Sequence, residues 1–229
     1  AKENCDVIIC SSNIKNLEET KNQILKEINK QVSIYEMDLS SIDSIQEASN
    51  QINKDYQGID ILITNSPGPK PLQATEADLD DLSNAMQINF YSVFQLCKNF
   101  IPYMIKKKFG RIINLSSTTA REPEAGMFLS NACRAAVISY TKTLSREIGK
   151  EGITVNSILT GGVLTDRTKN LLQMEANASG INLEKIYEQA ANNIPVGHIA
   201  TPEEFASNIV FLSSPQSSYI NGVNIPVDG

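Results

Sequence analysis

The chain has 229 residues, enough for one large domain with a sizeable core, and its 41% hydrophobic and 20% charged residues exclude a disordered polypeptide. Its formal net charge of −6 excludes a broad nucleic-acid surface, because phosphate binding needs clustered lysine and arginine. No apolar stretch approaches the roughly 18 residues of a membrane span. No signal peptide is visible, and Cys5, Cys10, Cys97 and Cys133 are too scattered for a metal site or a disulfide framework. A reducing cytoplasm is the expected setting, with Cys10 and Cys97 in apolar runs acting as small hydrophobes.

Short β-branched runs alternate with longer helical patterns, the arrangement of βαβ units around a parallel sheet. In chain order the pattern predicts a strand at Val7–Cys10, then a helix over Leu17–Ile28 with Ile24, Leu25 and Ile28 on one face. A strand at Val32–Glu36 and a helix over Asp43–Tyr56 follow, the helix opening on Asp43 and Gln46. After the strand Ile61–Thr64 comes one long helix, Thr75–Lys107, opening on Thr75 and Asp78. The basic run Lys106–Lys108 reads as a helix C-terminus that complements the macrodipole. Strands Arg111–Leu115 and Thr154–Ile158 flank a helix over Gly126–Lys150, which Gly149 and Gly152 close. Thr201-Pro202-Glu203-Glu204 is a helix start with capping threonine, proline at the first position and glutamate at the third. Val223–Val227 is the last strand. The strands are short and apolar, as strands buried on both faces are. One α/β domain with a doubly wound parallel sheet, spanning residues 1–229, is expected.

Several segments, in order, resemble one family. Asp60 through Gly68 (DILITNSPG) is similar to a strand and turn written DILVNNAG, Gly110 through Ser117 (GRIINLSS) to GRIVNISS, and Val155-Asn156 through Thr165-Asp166 to VNAVAPGxxxTD. Asp38-Leu39, Asn89, Pro202-Glu203-Glu204 and the terminal Pro226-Val227-Asp228-Gly229 complete the set. These residues resemble the short-chain dehydrogenase/reductase family nearly end to end. The resemblance implies a Rossmann-like fold, a nicotinamide dinucleotide across the carboxyl ends of the strands and a small-molecule carbonyl or hydroxyl substrate. It also implies a homodimer or homotetramer paired through the helices Thr75–Lys107 and Gly126–Lys150.

The family's phosphate-binding fingerprint, TGxxxGxG after the first strand, is not in this sequence, and Gly161-Gly162 comes after a later strand. Ala1–Asn4 resembles the tail of the helix that follows the fingerprint. The expectation is therefore that a strand, turn and helix of roughly 25–30 residues belong in front of Ala1. In this family that strand lies mid-sheet, and without it two apolar strand edges would face each other with unmet N–H and C=O groups. The other reading is a degenerate homologue without a cofactor.

The resemblance assigns Asn89 and Ser117 to the catalytic group. The family's tyrosine lies thirteen residues after the serine and its lysine four later; here those places hold Ser130 and Arg134. An aliphatic hydroxyl is a much poorer proton donor at neutral pH than a phenol of pKa ~10, and arginine stays charged. The family's usual proton delivery therefore does not carry over, and a water held by Ser117 and Ser130, or the substrate itself, would supply the proton. A subgroup of the family, named by resemblance as 3-oxoacyl-carrier-protein reductases, carries LSNxxRAAV in this helix and a proline-rich turn, here Leu129 to Val137 and Pro67 to Pro71. The alternative is a catalytically silent relative that binds a dinucleotide or metabolite. Tyr103 and Lys107 satisfy YxxxK only by chance spacing on a helix.

On the cofactor side the resemblance points to Ser11, Ser12, Asp38, Leu39, Asn65, Gly161, Val163 and Thr165. No acidic residue stands at Ser11 to repel a 2′-phosphate, and two hydroxyls with nearby Lys15 suit one, favouring NADP over NAD. The same residues also read as a helix N-cap followed by a surface lysine. Thr165 could equally cap a helix starting near Asp166, and Asn65 could be an ordinary turn residue. His198 reads as a surface residue. Thr165–Asn193 resembles a substrate lid with Met174, Ile181 and Ile186 as apolar lining or as plain helix packing.

Overall fold

The computed structural model describes all residues, 1–229. Six strands form, β1 (Ile8–Ser11), β2 (Ser33–Glu36), β3 (Ile61–Thr64), β4 (Gly110–Ser117), β5 (Ile153–Thr160) and β6 (Asn224–Val227). All pairings are parallel: β1 with β2, and β3-β4-β5-β6 in that order. Eight α-helices accompany them, α1 (Ile14–Ile28), α2 (Ile42–Tyr56), α3 (Leu79–Met86), α4 (Ser92–Lys107), α5 (Phe128–Ile148), α6 (Asp166–Ser179), α7 (Leu183–Asn192) and α8 (Pro202–Ser213).

Alternating side chains of the sheet feed two cores. Ile112, Ile153 and Val155 pack with residues of α2, α4 and α5 on one face, while Ile113 and Ile158 pack with Phe205 and Leu212 of α8 on the other. Each of these five sheet residues is at most 1% exposed, so each contributes roughly 1.5–3 kcal/mol of burial. Both faces are covered, which is the doubly wound arrangement that short apolar strands call for. No ladder joins β1 to β3, so the sheet is in two parts. Both parts share the first core, because Ile8 and Tyr35 pack against the cluster containing Leu62 and Ile112. The break falls where the family resemblance places one further strand.

Several local expectations change. β4 and β5 run past their apolar stretches, since Ser116 and Ser117 keep pairing with Leu159 and Thr160. α1 begins earlier than expected because Asn13 caps it, accepting the N–H groups of Lys15 and Asn16. Ser41, not Asp43 with Gln46, caps α2. The single helix expected over Thr75–Lys107 is instead α3, a π-helical turn at Gln87–Tyr91, and α4. Its opening moves to Asp78, because the Leu72 N–H donates to the Gly126 carbonyl and the Phe128 N–H to that of Leu72, holding the preceding segment out of helix. Gly152 has φ +79°, and a Cβ there would sit 2.1 Å from the Lys108 carbonyl oxygen, so only glycine closes this turn. The capping box at Thr201 and Glu204 forms as its spacing indicates.

Candidate active site

Strands β3 to β6 run parallel, so their carboxyl ends form one rim, where open α/β sheets take ligands. Asn89 reaches that rim from the π-helical turn and is 1% exposed. Its Nδ2 donates to the Ala85 carbonyl at 3.0 Å, and its Oδ1 accepts the hydroxyl of Ser66 at 3.0 Å. Such a wide turn, with a side chain bonded back into the helix, recurs at functional positions. Ser66, just past β3, also offers its carbonyl to Arg134 Nη2 at 3.1 Å, while Arg134 Nη1 donates to the Leu115 carbonyl at 2.8 Å. The Ser116 hydroxyl donates to the Arg134 carbonyl. Asn89, Ser66, Arg134 and the end of β4 are thus one hydrogen-bonded chain.

Arg134 is 7% exposed and has no carboxylate within ion-pairing distance; every ion pair in the chain uses lysine or histidine. Burial pushes its guanidinium down from 12.5 to about 10, and the positive charge of Arg167 pushes the same way. It remains charged at neutral pH. Three of its five N–H groups have no acceptor in the protein, since only two bonds are made.

The Ser117 hydroxyl, at the end of β4, accepts from the backbone N–H and the hydroxyl of Thr119 at 3.2 and 3.1 Å. Its own proton is left free to donate. Ser130 lies one turn before Arg134 on the same buried face of α5. Tyr103 and Lys107 are elsewhere: Lys107 pairs at 2.7 Å with Asp60, which precedes β3 at the opposite end of the sheet. Tyr140 packs against Phe90 and Phe94, and burial holds its phenolic proton far more tightly than usual.

Among the cofactor-side candidates, Ser11 ends β1 and its hydroxyl accepts the Asn13 N–H. The helix cap is Asn13, and Ser12 and Lys15 are exposed beside it. Asp38 accepts the Ser40 N–H and hydroxyl at 2.9 and 2.8 Å, and these bonds hold its carboxyl below the usual range. Leu39 packs on the first core. Asn65 is exposed, whereas its neighbour Thr64 turns inward and starts a buried line of hydroxyl and amide groups through Asn114, Thr141 and Ser157. Gly161 sits where a Cβ would come within 2.6 Å of the Asp228 Cα, and Val163 is buried and bridges to Ala200. Thr165 caps α6, accepting the Thr168 N–H. In the lid segment Ile186 is buried against Leu172 and Ala176, while Met174 and Ile181 are exposed. His198 is exposed and faces Glu204 at 3.1 Å.

Two residues escape the sequence reading. Ser66 is the hub between Asn89 and Arg134, and Arg167 donates to the Gly68 and Pro69 carbonyls at 2.9 and 3.3 Å. The only local hint is the proline-rich turn itself.

A family model described as enoyl-(acyl carrier protein) reductase matches residues 1–229. The chain belongs to the short-chain dehydrogenase/reductase family. It is 30% identical over 230 residues to the NADPH-dependent reductase BacG of Bacillus subtilis, covering 100% of this chain and 89% of that protein. It is 31% identical over 193 residues to the 3-oxoacyl-[acyl-carrier-protein] reductase FabG of Vibrio cholerae, covering 84% and 75%. The crystal structure of YwfH, an NADPH-dependent reductase involved in bacilysin biosynthesis, superposes with a TM-score of 0.93 at 29% identity, covering 100% of this chain and 89% of that one.

Proposed function

We propose that this short-chain dehydrogenase/reductase reduces the carbonyl group of a small molecule with NADPH, using Asn89, Ser117, Ser130 and Arg134. The observation that carries the reading is a buried guanidinium without a carboxylate partner, bonded to the Ser66 and Leu115 carbonyls, and a serine with its proton free at the end of β4. The NADPH dependence of BacG, similar over the whole chain, supports the cofactor.

The residues present fit the two ends of such a dinucleotide. Ser11 and Ser12 offer hydroxyls with no carboxylate at Ser11 to repel a 2′-phosphate, and Asp38 and Leu39 would flank the adenine. Asn65, Gly161, Val163 and Thr165 would line the nicotinamide side, and Arg134 has N–H groups to spare for ribose hydroxyls. When bound, the nicotinamide supplies the hydride. Ser117 donates its proton as a hydrogen bond to the substrate carbonyl oxygen. Arg134, itself buried, places positive charge where negative charge develops on that oxygen. Asn89 and Ser66 hold the guanidinium and the β3 turn in place. With serine where the family has tyrosine, the proton that completes the alcohol comes from a water held by Ser117 and Ser130, or from the substrate.

A second reading, a silent binding relative, is favoured by one observation: Ser130 offers no acidic proton at neutral pH. The two readings separate in a screen of full-length protein for NADPH and NADH oxidation with carbonyl substrates. Turnover with NADPH supports the first; dinucleotide binding without turnover, rising only in Ser130→Tyr/Arg134→Lys, supports the second. We further propose a homodimer or homotetramer built through α5 and α4 with the π-helical turn before it, where Phe94 and Tyr91 leave apolar surface exposed, and a cytoplasmic setting suited to four unpaired cysteines.

A further inference from the structure

We propose that Arg167 is a positioning residue that ties the first turn of α6 to the Ser66–Pro69 turn and, through it, to Arg134 and Asn89. The inference rests on the reductase reading and names a control point for that site. Three elements distant in sequence converge on four residues. Asn89 takes the Ser66 hydroxyl, Arg134 of α5 takes the Ser66 carbonyl, and Arg167 of α6 takes the carbonyls of Gly68 and Pro69. Pro67 and Pro69 have no N–H to donate, so this turn cannot brace itself with backbone bonds from those two positions. Its carbonyls are braced from outside, by two guanidinium groups.

The fit is specific to these side chains. A guanidinium presents a flat fork that spans two successive carbonyls, which a single ammonium does poorly. Gly68 makes room for it: a Cβ there would sit 3.1 Å from the Cζ and both Nη atoms of Arg167. Neither arginine has a carboxylate partner, so carbonyl dipoles hold two like charges on one short turn. Burial chiefly keeps the Arg134 guanidinium below its ordinary value, and the nearby Arg167 charge pushes the same way.

The other partner in this coupling is the α6–α7 pair. These helices bury their own small cluster, Leu172, Ala176 and Ile186, separate from the two sheet cores. The other side-chain bonds that leave α6 stay at its own ends, from Thr168 to Val163 and Thr165 and from the Ile181 N–H to Ser179; those that reach across the fold are Arg167's. A shift of α6 withdraws two donors from the turn that carries the Ser66 carbonyl, and so alters the geometry of Arg134. Lid position and catalytic charge are thereby linked.

The test uses full-length protein and the variants Arg167→Ala, Arg167→Lys, Gly68→Ala and the Arg167→Ala/Gly68→Ala double. Arg167→Ala is expected to lower kcat about tenfold while NADPH affinity stays within about twofold. Arg167→Lys restores only part of the loss. Gly68→Ala displaces the guanidinium and gives a similar loss, and the double variant is no worse than either single. Hydrogen exchange read by mass spectrometry is expected to quicken in Arg167→Ala both within residues 166–179 and within residues 66–72. Losses that simply add, or unchanged exchange at residues 66–72, overturn the proposal. If the wild type oxidises no NADPH, the reductase reading fails, and the exchange experiment still decides the coupling.

Discussion

Replacing Arg134 with methionine separates what this residue does for stability from what it does for chemistry. Burial pushes its guanidinium down from the ordinary arginine value to about 10, so burying the charge costs on the order of 3 kcal/mol at about 1.4 kcal/mol per unit. Arg134→Met removes that burden and keeps much of the side-chain volume. It also takes one donor each from the Leu115 and Ser66 carbonyls, which costs about 1 kcal/mol apiece, the low end because each carbonyl oxygen has a second lone pair. The balance lies within about 2 kcal/mol of the wild type. Urea unfolding followed by circular dichroism measures it. The same variant is expected to lose at least about a hundredfold in kcat, because the developing oxyanion loses its fixed positive charge. The sign of the pH effect follows. Folding lowers this pKa, so between pH of about 10 and 12.5 the unfolded chain holds a proton that the folded chain has shed. The wild type therefore gains stability relative to the methionine variant as pH rises through that window. A stability loss of about 4 kcal/mol or more at neutral pH would mean that Arg134 is chiefly a structural staple. Near-normal turnover would remove it from the catalytic group.

Three further outcomes are expected. Ser66→Ala strips the buried Asn89 Oδ1 of its donor, at a cost of about 1–3 kcal/mol; thermal unfolding is expected to fall by several degrees with a parallel drop in kcat, and an unchanged transition would show that the bond carries no load. Ser117→Ala removes the free proton donor and is expected to lower kcat/KM by about a hundredfold without changing dinucleotide affinity, as fluorescence titration with NADPH would show. Burial pushes the thiols of Cys97 and Cys133 up to about 12 and about 11, so at pH 8 almost none of either is thiolate. Alkylation followed by peptide mapping is expected to mark exposed Cys5 readily and these two only after unfolding.

The βαβ alternation was legible because buried parallel strands are short apolar runs, and β3 falls where Ile61–Thr64 was expected. Ends were less legible where polar residues continue a ladder, as Ser116 and Ser117 do in β4, or where a distant contact overrides local propensity, as Leu72 with Gly126 and Phe128 does ahead of α3. In the candidate site, Asn89 and Ser117 could be nominated from sequence because they match motif residues, and Ser130 and Arg134 because they stand at the places of the motif's tyrosine and lysine. Ser66 and Arg167 could not, because their partners lie 23 and about a hundred residues away and no local pattern encodes such bonds. The Cys10 expectation was incomplete for a similar reason: it sits in an apolar run, yet its residue surface is exposed in β1. Ser11 and Thr165 show that a helix-terminal hydroxyl has two readings which spacing cannot separate, and the bonds to Asn13 and Thr168 supply the local one.

Transfer of hydride from NADPH to a carbonyl carbon beside Ser117 and Arg134, as proposed, can be followed with an isotope. Full-length protein should be incubated with NADPH carrying deuterium at the transferable position and a panel of carbonyl compounds, and the products read by mass spectrometry. An alcohol carrying one deuterium on the former carbonyl carbon is expected from the wild type and is lost in Arg134→Met. Product without deuterium, or no product while NADPH binds at the rim, would contradict the proposed transfer.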